Sequence, residues 1–195
     1  DDPVHGAADG DHLAAAGLGG LGDGADAGDD LVHVDGSFDL DTLAELIEKP
    51  TEGLHTLYVS PLKALAVDIQ RNLLAPVAEM GLDIRAETRT GDTPSDRRQR
   101  QRARPPQILL TTPESLSLLL SYPDSFTMFE GLRTIVVDEV HAFAAGKRGD
   151  LLSLCMARLQ RIAPSMRRVA LSATVADDQT LHSLDAAARS AANRG

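Results

Sequence analysis

The chain has 195 residues, 43% of them hydrophobic, a single cysteine and a formal net charge of −10. That length suffices for one domain with a real core, while no apolar run approaches the roughly 18 residues that span a bilayer, so no membrane partner is expected. One cysteine excludes an internal disulfide framework and a cysteine-rich zinc site, and fits a reducing, cytoplasmic setting.

The charge is uneven. Residues 1–45 hold twelve Asp and Glu and no Lys or Arg, which leaves residues 46–195 at +2. The acidic total therefore does not argue against a nucleic-acid partner for the larger part. Residues 1–36 use only Asp, Pro, Val, His, Gly, Ala and Leu, and 23 of the first 30 are Asp, Gly or Ala. They lack both the basic start and the apolar block of a secretory signal. Residues 1–39 have too little bulk to bury and are expected to be disordered. All seven residue types of the first 36 can be written with codons beginning in G or C. In GC-rich coding DNA that bias normally sits at the third codon position, so the segment reads as out-of-frame translation or a misjoined end; a natural acidic linker is the alternative. The coding DNA upstream of Ser37 separates the two.

From Leu40 the texture changes to that of a folded α/β protein. "LDTLAELIEK" has helical apolar spacing and stops at Pro50. "HTLYVS" (55–60) reads as a strand, followed by a helix through "LKALAVDIQRNLLAPVAEM". "DIRAET" (83–88) is a short strand, and "PSDRRQRQRA" a polar helix opened by Pro94. "QILLTT" (107–112) is a buried strand, with Thr112 placed to cap a helix opening at Pro113. "TIVV" is the next strand, ending at Asp138, and "DLLSLCMARLQRIA" (150–163) a long helix in which Cys155 packs as a core residue. "RRVALSAT" (167–174) is the last strand. Strand–helix alternation predicts a parallel sheet with helices on both faces. Residues 177–195 are expected to be a truncated tail, and the absence of an initiator Met reads as a fragment.

Four apolar strands end in polar motifs: "SPLKALA", "TTPESL", "DEVH" and "SAT". In an open parallel sheet these ends share one edge, where ligands bind. Asp138 and Glu139 at such an edge can hold a hydrated cation and activate water, as ATPases require; a solvated strand end is the plainer alternative. "RRQRQRAR" (97–104) places five Arg in eight residues. It reads either as a source of non-specific phosphate attraction or as a solvated helix face.

Together these motifs, with "RTGDT" and "GKRGD", resemble the first RecA-like domain of superfamily 2 DExH-box helicases. Within that superfamily they resemble the large-helicase-related (Lhr) family and its ligase-associated members, over Leu54 to Ala176. The resemblance implies an α/β, partial RecA-like P-loop NTPase domain over residues 40–176. It implies an ATP-dependent DNA helicase that translocates on single-stranded or duplex DNA, with RNA left open, using ATP and Mg²⁺; a DNA ligase or nuclease is an implied associate. By the same resemblance Asp138 holds the Mg²⁺ through water, and Glu139 positions or deprotonates the attacking water. His141 links that site to Ser172, Ala173 and Thr174, which couple nucleotide state to strand movement. Three segments would hold the nucleic-acid backbone: Pro61 and Lys63, with Leu62 and Ala64; Thr90, Gly91 and Asp92; and Thr112, Pro113 and Ser115. Glu114 would repel phosphate and is better placed as a capping residue. Lys147 and Arg148 match the family's pattern after the acidic box and are read as loop-positioning or strand contacts.

One expected part is missing. A helicase of this kind carries a glycine-rich loop ending Gly-Lys-Ser/Thr, whose amides and lysine hold phosphates. The only Gly-Lys here, Gly146-Lys147, follows the acidic box and precedes Arg148. Gly19, Gly20 and Gly22 stand among aspartates that repel triphosphate. The chain is therefore expected to be inactive alone, with a non-catalytic remnant that binds nucleic acid weakly as the alternative.

Overall fold

The computed structural model describes residues 31–34, 40–61, 77, 79, 81–143, 146–171 and 186. In chain order the elements are β1 (Leu31–Val34), α1 (Leu40–Glu48), β2 (Thr56–Val59), β3 (Ala86–Arg89), α2 (Ser95–Ala103), β4 (Ile108–Thr111), α3 (Pro113–Ser121), α4 (Ser125–Phe129), β5 (Thr134–Val137), a 3₁₀ turn (Val140–Phe143), α5 (Lys147–Ile162) and β6 (Arg167–Leu171). The expected alternation is present; β2 and β4 are a residue shorter at each end, and β3 starts three residues later and ends one later than expected. Ser172, Ala173, Thr174, Leu62, Lys63, Ala64, most of the helix expected after "HTLYVS" and nearly all of the expected tail lie outside the described residues.

The six strands form one sheet in the order β1-β6-β5-β2-β4-β3, and every pairing is parallel. A strand's side chains alternate between faces, so β2, β4, β5 and β6 each feed two cores. Leu57, Val59, Leu109, Ile135, Val137 and Ala170 point to one face, where α3, α4 and α5 supply Leu116, Leu120, Phe129, Leu152 and Met156. Tyr58, Ile108, Leu110, Val136, Val169 and Leu171 point to the other and meet Leu46 of α1 and Val77. Burial on both faces explains why these strands read as continuous apolar runs instead of alternating ones. Cys155 lies in the first core as expected, and burial pushes its thiol up to about 11. Among the described residues no helix is long and apolar enough to cross a membrane.

The N-terminal segment departs from expectation. Leu31–Val34 lies within the stretch expected to be disordered, yet it forms the edge strand β1, in register with Arg168–Leu171 of β6. "LVHV" is a β-branched-rich tetrapeptide whose partner lies at the far end of the chain, so local composition conceals it. Residues 1–30 lie outside the described residues.

At the opposite end of the sheet from the strand-end motifs, His55 is 2% exposed and its Nδ1 lies 2.9 Å from Thr56 Oγ1. Burial holds its pKa below the usual 6.5, assisted by Arg133 and Arg167 and opposed by Glu45 at 3.9 Å. The unfolded chain takes up this proton first as pH falls. The stability His55 confers is thus complete above pH 6.5 and is lost as pH drops through the lower folded value. Thermal melts of the wild type are expected to show the midpoint falling between pH 7.5 and 5.5, and His55→Asn should flatten that slope. An equal slope in both proteins would assign the dependence elsewhere.

Candidate nucleotide and nucleic-acid site

Because all six strands are parallel, their C-terminal ends share one rim, and the sheet order dictates the sequence of motifs along it. From the β1 side the rim presents the end of β6, then Asp138-Glu139 after β5, Ser60-Pro61 after β2, Thr112-Pro113 after β4 and Thr90-Gly91-Asp92 after β3. Backbone bonds continue across it beyond the strands. Asp138 N donates to Val59 O at 2.9 Å, and Ser60 N to Thr111 O at 3.0 Å. The Thr111 hydroxyl donates to Arg89 O at 2.8 Å. Four of the motifs separated in sequence are thereby tied side by side.

At the acidic end, Asp138 is half-buried and its Oδ1 accepts from Glu139 N at 2.8 Å. Burial raises its pKa; hydrogen bonds from Tyr58 and the Glu139 amide hold it down, the Glu139 charge adds to the rise and His141 opposes it. Tyr58 is the second residue before Ser60, so one buried hydroxyl links the "DEVH" carboxylate to the strand that leads into "SPLKA". Glu139 has φ 48°, a left-handed backbone that costs a non-glycine residue about 1–3 kcal/mol. That turn lifts its side chain off the strand path, and Ala142 N closes it on Glu139 O at 2.8 Å. His141 Nδ1 stands 3.3 Å from Glu139 Oε2, an ion-pair distance without hydrogen-bond geometry, and Oε2 is a buried acceptor with no hydrogen bond. A strained carboxylate with a spare buried acceptor beside a second carboxylate suits a hydrated divalent cation and a water molecule. Among the described residues no group of three or more ligating side chains gathers, so a cation here would take its remaining ligands from water and phosphate, as Mg²⁺ commonly does.

A phosphate-binding loop joins a strand to the helix after it. Here β1 beside β6 and the following α1 supply that frame, and residues 35–39, outside the described residues, join them. Their sequence is Asp-Gly-Ser-Phe-Asp. Two aspartates and no lysine do not fit a triphosphate.

The other end of the rim is built from turns and a helix start. Thr112 caps α3, its Oγ1 accepting from Ser115 N at 3.4 Å, and Pro113 occupies the first helical position. Thr112 is the N-cap residue of α3. Glu114 instead pairs with Arg148 at 2.7 Å, and Arg148 Nη1 also donates to Pro61 O at 3.3 Å. Burial opposes the Glu114 charge, but hydrogen bonds from its own backbone amide, Arg148 and Thr112 hold its pKa below the usual carboxylate range. Thr90–Thr93 form a tight turn, with Thr93 N on Thr90 O at 3.2 Å and Thr90 N on Thr93 Oγ1 at 2.9 Å. Arg98 donates to the carbonyls of Thr93 and Gly91 and fixes that turn from below.

Four of the five arginines in the run have partners of their own, on a helix face that is largely exposed. Arg97 and Arg100 engage Glu87, Arg98 holds the turn, and Arg102 binds Asp124 at 2.8 Å while covering the Tyr122 ring at 3.8 Å. Arg97, Arg98 and Arg100 brace β3 and the β3–α2 turn against α2. Spacing alone could not reveal this, because Glu87, Asp124 and Tyr122 come from other elements.

A model of the DEAD/DEAH box helicases matches residues 37–182. The chain belongs to that family. This helicase domain is 47% identical over 147 residues to the Lhr helicase/probable uracil glycosylase of Mycolicibacterium smegmatis, covering 70% of this chain and 10% of that protein. It is 44% identical over 133 residues to the ATP-dependent helicase Lhr-Core of Methanothermobacter thermautotrophicus, covering 64% and 15%. The structure of Mycobacterium smegmatis helicase Lhr bound to ssDNA and AMP-PNP superposes with TM-score 0.62 at 41% identity, over 72% of this chain and 20% of that one. The DUF1998 helicase MrfA bound to DNA and AMPPNP gives TM-score 0.70 at 29% identity, over 82% and 24%. The helicase domain thus spans a tenth to a quarter of the length of these relatives, and its sheet is the RecA-like one that the motifs implied.

Proposed function

We propose that this chain is the nucleic-acid-holding part of an ATP-dependent DNA helicase motor and that, as it stands, it does not bind or hydrolyse ATP. The observation that carries this is the sorting of the rim. The acidic pair and the β1–α1 pair lie toward one end, and the three segments read here as backbone contacts toward the other. Pro61 with Lys63, Thr112 with Pro113 and Ser115, and Thr90-Gly91-Asp92 would grip sugar and phosphate through hydroxyls, amides and a helix start, and contacts of that kind position a strand without reading bases. The single-stranded DNA in the Lhr structure supports this choice of partner. In an intact motor the bound Mg²⁺ would neutralise charge on the transferring phosphoryl group. Asp138 would hold its water shell, Glu139 would orient the attacking water, and His141 would pass the state of the site to Ser172 and Thr174. The aspartates of residues 35–39 favour a chain that keeps the strand grip and has lost the nucleotide.

Fluorescence anisotropy with a labelled oligo-dT strand tests the grip. The affinity of the full chain is expected to fall with rising salt, the log–log slope being about −0.7 per phosphate contacted. Arg97→Gln combined with Arg100→Gln should change that affinity by less than about twofold, because both guanidinium groups are already engaged by Glu87. Salt-independent binding, or none, would contradict the proposal.

A further inference from the structure

Arg148 breaks a local rule. Lys147 and Arg148 open α5, whose first turn is the positive end of a 16-residue helix and disfavours cations. The Glu114–Arg148 pair does not repay this in stability, since its side chains are 47% and 53% exposed and such pairs contribute little. What Arg148 does is geometric. Its Nε reaches Glu114 Oε1 in the first turn of α3 at 2.7 Å, and its Nη1 reaches Pro61 O at 3.3 Å. One side chain, rooted in the helix that follows "DEVH", spans the two segments read above as nucleic-acid contacts, which leave adjacent strands β2 and β4. A planar guanidinium suits this task because its donors are fixed in a fork, whereas a lysine offers one point charge.

We infer that Arg148 is a positioning residue, a bracket that sets the spacing of the Pro61 loop and the α3 start, with Glu114 as its anchor. The inference rests on the reading of those two segments as single-strand contacts. Glu114, a negative charge at a phosphate-binding helix start, thereby favours binding instead of opposing it. A purely electrostatic view demands the reverse sign.

That sign is the test. With the full chain and labelled oligo-dT, Glu114→Gln is expected to weaken binding by about fivefold and Arg148→Ala by about five- to tenfold. The double variant should be no worse than Arg148→Ala, and Arg148→Lys should not rescue. The salt slope should stay at the wild-type value, and the thermal midpoint should move by no more than about 3 °C. In the free protein, amide hydrogen exchange over residues 60–64 and 112–116 should quicken together in each variant. Tighter or unchanged binding by Glu114→Gln overturns the bracket. So does a slope shallower by about 1 in Arg148→Ala, which marks a direct phosphate contact. If the wild type does not bind the strand at all, the reading of the rim fails, and the bracket is then decided by exchange alone: quickening confined to residues 112–116 overturns it, and joint quickening upholds it.

Discussion

With a non-hydrolysable ATP analogue and Mg²⁺, the full chain is expected to show no rise in melting temperature, and its phosphate release should not exceed that of Glu139→Gln. The cause lies in five residues. The strand β1 is followed by the helix α1, the order a phosphate loop requires, but the sequence of the residues that join them carries two aspartates and no lysine, where amides and a lysine are needed for phosphate. Replacing residues 35–39 by a glycine-rich segment ending Gly-Lys-Thr should restore binding, because the frame on either side is kept. At an analogue concentration 100 times its Kd the graft would gain about 2.7 kcal/mol, or about 5–11 °C in melting temperature for a chain of this size. Stabilisation of the unaltered chain by the analogue would refute the reading, and a silent graft would show that β1 and α1 are not placed as described.

Leu57→Ala is expected to cost about 2–5 kcal/mol and to lower the melting temperature by about 4–20 °C. Leu57 is fully buried on β2, which has a strand on either side, and it faces the core closed by α3, α4 and α5. Truncation there removes contacts on the sheet and helix sides together and leaves a cavity that a parallel sheet covered on both faces cannot collapse. Because the same strand leads into Ser60 and Pro61, strand-binding affinity should fall along with stability. Chemical denaturation checks the first claim. A loss below about 1 kcal/mol would mean that the sheet is not the rigid platform the rim needs.

Much of the architecture was legible because it is local. Four-residue buried runs such as Ile108–Thr111 and Thr134–Val137 need only their own apolar residues to be recognised, and the Thr112-Pro113 cap carries its own signal. From parallel strands alone it follows that Pro61, Thr90, Thr112 and Asp138 share an edge. The rest depended on partners distant in sequence. β1 is a short run in a stretch poor in bulky residues and needs β6 to exist as a strand. The arginines of α2 look like a phosphate patch until Glu87, Asp124 and Tyr122 are brought beside them. Arg148 looks like one more basic residue until Glu114, 34 positions away, and Pro61, 87 away, appear at its two ends. The left-handed backbone of Glu139 leaves no trace in composition, since glutamate has no liking for it.

The pairing of β1 with β6 also orders events in time. Among the described residues β1 pairs with β6 alone, the last described strand in sequence, so during synthesis it must wait until nearly every described residue has left the ribosome. Contacts of such long separation form slowly, and the four inner and far-edge strands can assemble before them. Among the described strands β1 is therefore the last to dock, and a nascent chain halted before Arg167 would already hold β2 to β5 with Pro61, Thr90 and Thr112 at their ends, while β1 still lacked its place in the sheet.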